Sequence, residues 1–560
     1  MFRFLLPLLG VLLCALLCAA PSFAQAVDNR TAGGVVSQAE AERWREDLRH
    51  AAREMEARHK NLFHTTTREQ FEGAVRRLNE RIPALARHQI VVELMRLAAA
   101  VGDGHTNVAP TRDPKIGFRT LPVKLYLFED GMFVRAAERT HAELLGARVV
   151  KVGEATPEEA VARAREVVGR DNEMGVRFFA PLLLAMPEVL HALGLSDGPD
   201  AARFTFEKAG RRQTVTLKPA GPVELLPADT DLSWLPKEGW VDMRDGAPAP
   251  LWLKDPKNNF WFERLPNSKA VYAQLNQVNN KAAGETLADF SKRLLASVEA
   301  NEADKLVLDL RLNRGGNGML LRPLVVGLVK SKVNRRGRLF VLMGRSTWSA
   351  SQFLLNELEE YTEATFVGEP SGSRGNHFGD SRRITLPNSG VTVRVSVYYW
   401  QDWPPWDARP WTAPHVTAEL SSEDYRAGQD PALKAALAYV PRKTLTQLLD
   451  EALTEGGAGL ALKRFREFKA DPVNKYAETE QPLRNAAQRM LDEKKNDQAL
   501  LLLKLAAEEN PRSSRAHYAT AYAHSLVGAR EQAVKSLEKA LRLDPKFYEA
   551  AEMLRRLKRP

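Results

Sequence analysis

Residues 305–318 read KLVLDLRLNRGGNG. The first half is an apolar run typical of a buried strand, and the second half is a polar loop. In that loop Gly315 and Gly316 allow the backbone to turn an amide toward a bound oxygen atom without a side chain in the way, as an oxyanion hole requires. A plain glycine turn is the competing interpretation. The stretch therefore predicts a buried strand whose end is suited to chemistry.

The alternation of strand and helix continues on both sides of this stretch, from about residue 250 to residue 440. Short β-rich runs and helical runs follow one another, which is typical of a layered α/β domain. The predicted strands read AVYAQL, KLVLDLRL, GRLFVLMG, EATFVGE and VTVRVSVYYW, and the predicted helices read GETLADFSKRLLASVEAN and SASQFLLNELEEY. Functional side chains are expected at the ends of the strands.

The segment STWSASQF places Ser349 directly before a helix that is predicted to begin near Ala350. A hydroxyl at this junction lies close to the amides of the helix N-terminus and to their partial positive charge. Taken alone, a serine before an apolar run is usually a helix cap. Ser349 is therefore a candidate nucleophile, with capping as the alternative.

The segment VGDGHTNV, residues 101–108, places His105 in a glycine-flanked polar turn after an amphipathic helix. Histidine is the usual general base for a serine because it takes up and returns a proton near neutral pH. Taken alone, a loop histidine is more often a surface residue. His105 is therefore a candidate base whose role depends on what lies near it.

Three motifs follow one another along the chain: DLRLNRGG, the SAS of residues 349–351 before a helix, and FVGEPSG at 366–372. Their order and spacing resemble those of the tail-specific, or C-terminal-processing, serine protease family. The resemblance implies that Ser349 is the acylating nucleophile, and that Ala350 forms the oxyanion hole with the amide of Gly315 or Gly316. It also implies peptide bonds near an unstructured chain end as the substrate, with esters left open.

One departure from the family pattern selects the general base. The best-known branch uses a lysine in a GK element after the serine, but this chain has Arg374 there, and arginine keeps its proton. The branch that includes the tricorn protease core takes its base from an upstream histidine in a turn like DGHT, which implies His105. In that branch an acid downstream of the serine orients the histidine. The resemblance assigns this role to Asp407, with Asp380 as the alternative acid and His377 as the alternative base.

The first 24 residues predict a secretory signal peptide. An apolar run follows Arg3, and Ser22 and Ala24 occupy the small-residue positions of a cleavage site. Both cysteines lie in this leader, so the mature chain is expected to have neither a disulfide nor a cysteine nucleophile. No later run is apolar over the ~18 residues that a membrane span needs. We therefore expect an exported protein, periplasmic or secreted, without an integral membrane segment after signal cleavage.

Two further units are predicted before the α/β domain. Residues 27–112 carry helical spacing in AERWREDLRHAAREMEARHKNLF and QFEGAVRRLNERIPALARHQIVVELMRLAAAV, which indicates an N-terminal helical unit. Residues 115–235 are richer in β runs such as LPVKLYLF and RFTFEKAGRRQTVTLKP. Within them, LLGARVVKVGEATPEEAVARAREVVGRDN resembles the closing half of a PDZ-like module. A PDZ-like insert is therefore expected.

Residues 443–560 contain a repeat of the length found in tetratricopeptide repeats. Equivalent small or terminal positions are 34 residues apart in four pairs, namely Ala487 and Ala521, Ala499 and Ala533, Ala506 and Ala540, and Pro511 and Pro545. Stacked helix pairs bury a continuous seam and leave a concave face. We therefore expect an all-α C-terminal unit that binds a protein partner, with a purely stabilising cap as the alternative.

Composition and motifs argue against several other functions. The formal net charge is +10, but the basic clusters are short and carry no interleaved aromatic residues, so nucleic-acid binding is not expected. HExxH and GxxxxGK motifs are absent and the 11 histidines are scattered, so no metal and no cofactor are expected. The sequence thus predicts an exported serine-type peptidase. A catalytically silent peptide-binding protein and an envelope scaffold that recruits partners through its repeats are the alternatives.

Overall fold

The structure is a computed structural model, and it describes residues 34–110, 116–223 and 230–559, apart from positions 236, 245, 267, 283, 301 and 302. The predicted signal peptide, residues 1–24, lies outside the described residues. Among the helices of the described part, none is both long and apolar enough to cross a membrane.

The first described unit consists of three helices and a short strand. Ser37 caps the first helix, and Thr67 forms a capping box with Gln70 at the second. The elements are α1 (Gln38–Arg58), α2 (Arg68–Arg81), α3 (Arg87–Ala99) and β1 (Asn107–Val108). The VGDGHTNV turn connects α3 to β1, so a rigid helix leads directly into the turn that carries His105.

A second unit is built on an antiparallel sheet. Its elements are β2 (Arg119–Thr120), β3 (Val123–Phe128), β4 (Gly131–Glu138), β5 (Arg148–Val152), α4 (Pro157–Arg165), α5 (Glu173–Leu183), α6 (Pro187–Ala192), β6 (Ala202–Lys208), β7 (Arg211–Leu217), β8 (Gly221–Pro222) and β9 (Trp240–Asp242). Strands β3 to β7 pair in chain order, and β9 pairs with β4. Whether residues 115–235 form a PDZ-like module stays a prediction.

The segment around KLVLDLRLNRGGNG folds as an α/β layer, as the sequence predicts. Its elements are β10 (Phe260–Arg264), β11 (Ala270–Leu275), α7 (Leu287–Ala300), β12 (Lys305–Asp309), α8 (Arg322–Lys330), β13 (Leu339–Met343), α9 (Ala350–Tyr361), β14 (Thr365–Gly368), β15 (His377–Thr385), β16 (Thr392–Trp400), β17 (Val416–Thr417), α10 (Ser422–Arg426) and α11 (Pro431–Leu437). One sheet has the order β10-β11-β12-β13-β14-β17, in which only β10 is antiparallel. The mixed α/β fold class is therefore confirmed.

The apolar runs of these parallel strands are buried on both faces. Helices α7, α8 and α9 pack on one face, and α11 packs on the other. The polar end of β12 is held in place by hydrogen bonds. The Tyr272 hydroxyl donates to Asp309 at 2.6 Å. Arg311 bridges Asp309 and Asp430 with hydrogen bonds of 2.6 and 2.7 Å. The charged residues of DLRL thus fix the start of the glycine loop rather than act in chemistry.

Strand β16, the predicted VTVRVSVYYW, is not part of the parallel sheet. It pairs with β15 and β1 in a separate three-stranded sheet of order β1-β16-β15. The physical reason is its apolar face, because Val393 and Val395 are buried in the same core as the N-terminal helices. Asp47 of α1 also accepts the amides of Asn388 and Ser389 in the β15–β16 turn, at 2.9 and 2.8 Å. This sheet joins the unit that carries His105 to the unit that carries Ser349.

The C-terminal residues form helices α12 (Leu445–Ala470), α13 (Glu480–Asp492), α14 (Asn496–Glu509), α15 (Ser514–Leu526), α16 (Arg530–Leu543) and α17 (Tyr548–Lys558). The six alanines of the 34-residue pattern are fully buried where neighbouring helices pack. Small buried residues at such positions let two helices approach closely. That these helices are tetratricopeptide repeats stays a prediction.

Candidate active site

Ser349 lies at the carboxyl edge of the parallel sheet, in the connection between β13 and α9. Its backbone has φ 55° and ψ −124°, a conformation that is rare for a residue with a side chain. It occupies the N-cap position of α9, yet its side chain makes no capping hydrogen bond. The hydroxyl is therefore not used as an ordinary helix cap. Backbone strain of this kind costs on the order of 1–3 kcal/mol and collects at functional sites.

The glycine loop holds Ser349 in this conformation. Gly315 has φ +114°, and a Cβ at this position would lie 2.8 Å from the Cβ of Ser349 and 3.0 Å from the nitrogen of Ala350. Only glycine fits there, because a side chain would disfavour the positive φ and its Cβ would collide with Ser349. The amide of Ser349 donates to the Ser373 hydroxyl at 3.2 Å. The structure thus brings the predicted loop and the predicted nucleophile into direct contact.

The three backbone amides proposed for an oxyanion hole differ in their hydrogen bonding. The Gly315 amide donates to the side chain of Asn313 at 2.9 Å. The amides of Gly316 and Ala350 have no hydrogen-bond partner within the part of the chain that the structure describes. Gly316 has φ +132°, and a Cβ there would collide with the carbonyl oxygen of Val278. Gly316 and Ala350 are therefore the two donors that remain available to a ligand.

The turn that carries His105 is organised around a buried carboxylate. Asp103 accepts the amides of His105 and Thr106 at 2.9 and 2.7 Å, and the Ser396 hydroxyl at 2.7 Å. Its other oxygen lies 2.9 Å from Nε2 of His59. Burial alone would raise the pKa of Asp103, but the hydrogen bond and the charge interaction with His59, together with Ser396 and Thr106, lower this pKa to about 2.

This network makes a prediction about stability. Because the pKa of Asp103 is about 2 in the folded protein and 3.8 when unperturbed, its ionised form stabilises the fold. The contribution is fully present above about pH 4 and is lost as the pH falls through about 2. We expect Asp103→Asn to lower the free energy of unfolding by roughly 2 kcal/mol at pH 7 and by much less at pH 2. Urea unfolding at the two pH values measures this, and an equal loss at both would contradict it.

The indole of Trp348 connects the His105 turn to Ser349. Its ring lies edge-to-face on His105, with 5.7 Å between the ring centroids. It also packs so closely on Gly104 that a Cβ at this position would overlap the indole. Trp348 directly precedes Ser349 in the chain. The segments of the predicted base and nucleophile are therefore neighbours in the fold.

Asp171 is a site residue that the sequence analysis missed. Its buried carboxylate accepts the Gly104 amide at 2.9 Å and Nε1 of Trp348 at 3.3 Å. It therefore bonds to the residue before the base and to the residue before the nucleophile. Arg374, which stands where the other branch has lysine, donates from Nε to the Asp171 carbonyl at 2.9 Å. No local motif marks Asp171, because its role arises from two segments that are remote in sequence.

We expect Asp171→Asn to lower kcat by roughly 10- to 100-fold, because small displacements of reacting groups are costly, while KM changes little. Trp348→Phe removes one of the two donors to this carboxylate and should cost a similar factor. The double mutant should then be no worse than the poorer single mutant. Asp304→Asn, an exposed site before β12, is the matched control. Additive losses, or a loss confined to KM, would refute this positioning role.

His377, the alternative base, is buried beside His105. The two rings are nearly parallel, with centroids 5.8 Å apart. Nδ1 of His377 lies 3.1 Å from the Arg374 carbonyl oxygen, and burial lowers the pKa of His377 to about 4. His377 is therefore neutral at pH 7. Nδ1 of His105 and Nε2 of His377 are both buried and have no hydrogen-bond partner among the described residues.

The two acids proposed to orient the base are bonded to other groups. Asp407 accepts the amide and the guanidinium of Arg409, each at 2.9 Å, and Arg409 also bonds to Glu359 at 2.6 Å. Asp380 is exposed and accepts Nε1 of Trp400 at 3.0 Å. Neither carboxylate bonds to Nδ1 of His105. The orienting role of Asp407, with Asp380 as the alternative, stays a prediction.

The site holds serine, histidine and backbone donors rather than a ligand set for a metal. Across the described residues, no group of three or more histidine, aspartate or glutamate side chains is arranged to hold a metal ion. The arrangement can place a hydroxyl beside an imidazole and two amides. This is the set of groups that acyl transfer requires.

Comparisons with known proteins bear on the fold. No family model matches the chain, and a search of curated proteins found no match. Mature CPAF complexed with lactacystin is 12% identical, with a TM-score of 0.51 over 71% of this chain and 98% of that chain. The photosystem II D1 C-terminal processing protease is 16% identical, with a TM-score of 0.31 over 71% of this chain and 99% of that chain. The first comparison shows that this chain has a fold similar to that of CPAF.

Proposed function

We propose that the chain is a serine-type peptidase that cleaves peptide bonds by acyl transfer to Ser349. The observation that carries this proposal is the backbone of Ser349, held at positive φ before α9 with its hydroxyl unused for capping. The three motifs that resemble the tail-specific protease family support the assignment, as does the likeness of the fold to CPAF. The predicted signal peptide supports export of this enzyme, to the periplasm or out of the cell.

In the proposed reaction His105 is first a general base and then a general acid. It takes the proton of the Ser349 hydroxyl as Oγ attacks the carbonyl carbon of the substrate. It then returns the proton to the leaving amine, and a water molecule hydrolyses the acyl-enzyme by the same route. The edge-to-face contact of His105 with Trp348, next to Ser349, supports this pairing.

The negative charge that develops on the carbonyl oxygen is stabilised by backbone amides. Gly316 and Ala350 are the proposed donors, because their amides have no other partner among the described residues. Gly315 supports them by fitting against Ser349 and by donating its amide to the Asn313 side chain, a bond that fixes the loop. Removal of one such donor typically costs 10²–10³-fold in kcat.

Two carboxylates are candidates for the acid that orients the base, and each is supported by a different kind of argument. Asp407 is assigned by the family resemblance, and in this role it would exchange Arg409 for the base. Asp171 is instead supported by contact, because it bonds to the amide next to His105. We assign Asp171 to positioning the turn and keep Asp407 as the proposed orienting acid. Asp407→Ala should then reduce activity less completely than removal of the serine.

The remaining units are assigned to recognition. We propose that residues 115–235 are a PDZ-like insert and that residues 443–560 are tetratricopeptide-like repeats with a protein partner. Peptide or unfolded protein is the proposed substrate class, since the family resemblance implies cleavage near unstructured chain ends.

A fluorophosphonate probe tests the proposal directly. It forms a covalent bond only with an activated serine, so the purified mature protein should be labelled stoichiometrically. Mass spectrometry of the digested adduct should place the label on Ser349. A protein that binds peptides but is not labelled would be the catalytically silent alternative. That result would contradict the proposed function.

A further inference from the structure

An exposed apolar surface begins beside the candidate active site. Four side chains form it, and we call it the apolar strip: Met319, Phe353, Tyr398 and Trp400. Met319 is 85% exposed, Tyr398 54% and Trp400 37%, while Phe353 is half-buried between them. Large exposed apolar side chains that adjoin one another mark a binding surface more often than isolated ones do.

Phe353 ties the strip to the nucleophile. It lies in the first turn of α9, the helix that Ser349 precedes as N-cap. Its ring stacks on His377 with 5.1 Å between centroids, and His377 in turn stacks on His105. The strip therefore starts beside the two stacked histidines, on the helix that follows the nucleophile.

The strip continues along β16. Trp400 packs edge-to-face on Phe353 with 5.4 Å between centroids, and Tyr398 lies 5.9 Å from Trp400. The polar nitrogen of Trp400 is bonded to Asp380, which leaves the faces of its ring as apolar surface. Gly379 pairs with Tyr398 across the sheet, so no side chain covers the tyrosine from that strand.

Met319 closes the other side. It follows Gly318, at which a Cβ would lie 2.8 Å from the Phe353 ring and 3.8 Å from the Cβ of Ala350. Met319 thus directly follows the glycine on which Phe353 packs, three residues after Gly316. A flexible thioether beside aromatic rings adapts to apolar groups of different shape.

We infer that the apolar strip is a subsite for one large apolar or aromatic side chain of the peptide substrate, close to the bond that is cleaved. This inference rests on the proposed function and names the substrate class within it. The occupant follows from position, because a chain bound across Ser349 and the Gly316 amide must pass beside Phe353. A charged side chain there would lose water without gaining a partner.

The experiment uses matched unstructured peptides that differ at one residue, scanned on each side of the cleaved bond. Phenylalanine, leucine, alanine and aspartate are compared at each position. At one position we expect kcat/KM for the phenylalanine or leucine peptide to exceed that for the alanine peptide by roughly tenfold or more. Trp400→Ala and Met319→Ala should reduce this ratio to below about threefold. Tyr361→Ala, an exposed aromatic at the far end of α9, is the matched control and should keep it.

A binding assay separates failure of this inference from failure of the proposed chemistry. Fluorescence anisotropy with the Ser349→Ala protein should show the same preference for the apolar peptide, and Trp400→Ala in that background should remove it. Equal binding of all four peptides would overturn the subsite even if the enzyme is labelled by the probe. A change of oligomeric state in Trp400→Ala with the preference intact would overturn it too, because the strip would then be a subunit contact.

Discussion

Replacing Ser349 by alanine should abolish both fluorophosphonate labelling and peptide hydrolysis, while the fold is retained. The serine has no capping bond to lose, so the free energy of unfolding should change by less than about 1 kcal/mol. Loss of the nucleophile should lower kcat by roughly 10⁴-fold or more. No neighbouring group can replace the nucleophile. His105 and the oxyanion-hole amides only assist the attack of Ser349 Oγ on the substrate carbonyl carbon.

Ser351→Ala is the matched control for this experiment. Ser351 is two residues further along α9 and fully buried, and its hydroxyl has no hydrogen-bond partner among the described residues. The control should be labelled and should hydrolyse peptide at close to the wild-type rate. Labelling of purified Ser349→Ala at the wild-type rate would remove Ser349 from the mechanism.

Replacing His105 by alanine should cost nearly as much as replacing Ser349, because the two residues act as a unit. If His377 were the base instead, the pH profile of activity would be different. Burial keeps the pKa of His377 at about 4, so this residue is already neutral, and able to accept a proton, at any pH above that value. An enzyme that used His377 would keep its activity down to about pH 4. One that loses activity well above pH 4 uses another base.

The profile of kcat/KM against pH, measured for the wild type and for His377→Asn, tests this assignment. We expect the wild type to lose activity on the acid side well above pH 4, and His377→Asn to keep that acid limb. His377 should matter less than His105, through its stacking on the base. A folded His105→Ala protein with near-normal turnover would move the base to His377.

The α/β layer was predictable because its signal is local. The apolar runs of β11 to β14 are buried on both faces, and each is short and bounded by polar residues. The place of β16 was not predictable, since its sequence fits either sheet equally well. Its partner is decided by the burial of Val393 and Val395 against helices more than 300 residues earlier in the chain, as the 342-residue separation of Asp47 and Ser389 shows.

The chemistry of the site was predictable where residue type limits it. Few residue types can serve as nucleophile, general base or oxyanion-hole loop. This chain offers a serine before a helix, a histidine in a polar turn and paired glycines, and the structure brings these segments together. The carboxylates were harder, because any of them can pair with whichever cation or amide lies near. Asp407 pairs with Arg409, two residues further along the chain, while Asp171 gains its role from Gly104 and Trp348.

The contacts that hold the His105 turn also determine when the protein becomes active. Asp103 and Ser396 are 293 residues apart in sequence, and Asp171 and Trp348 are 177 apart. Contacts of such separation form late in folding, because the entropy of closing long loops must be overcome first. A chain emerging during synthesis thus has its histidine long before it has the strand that supports it. We expect such a chain to be latent without a separate inhibitor, its latency ending only when the last of these contacts closes.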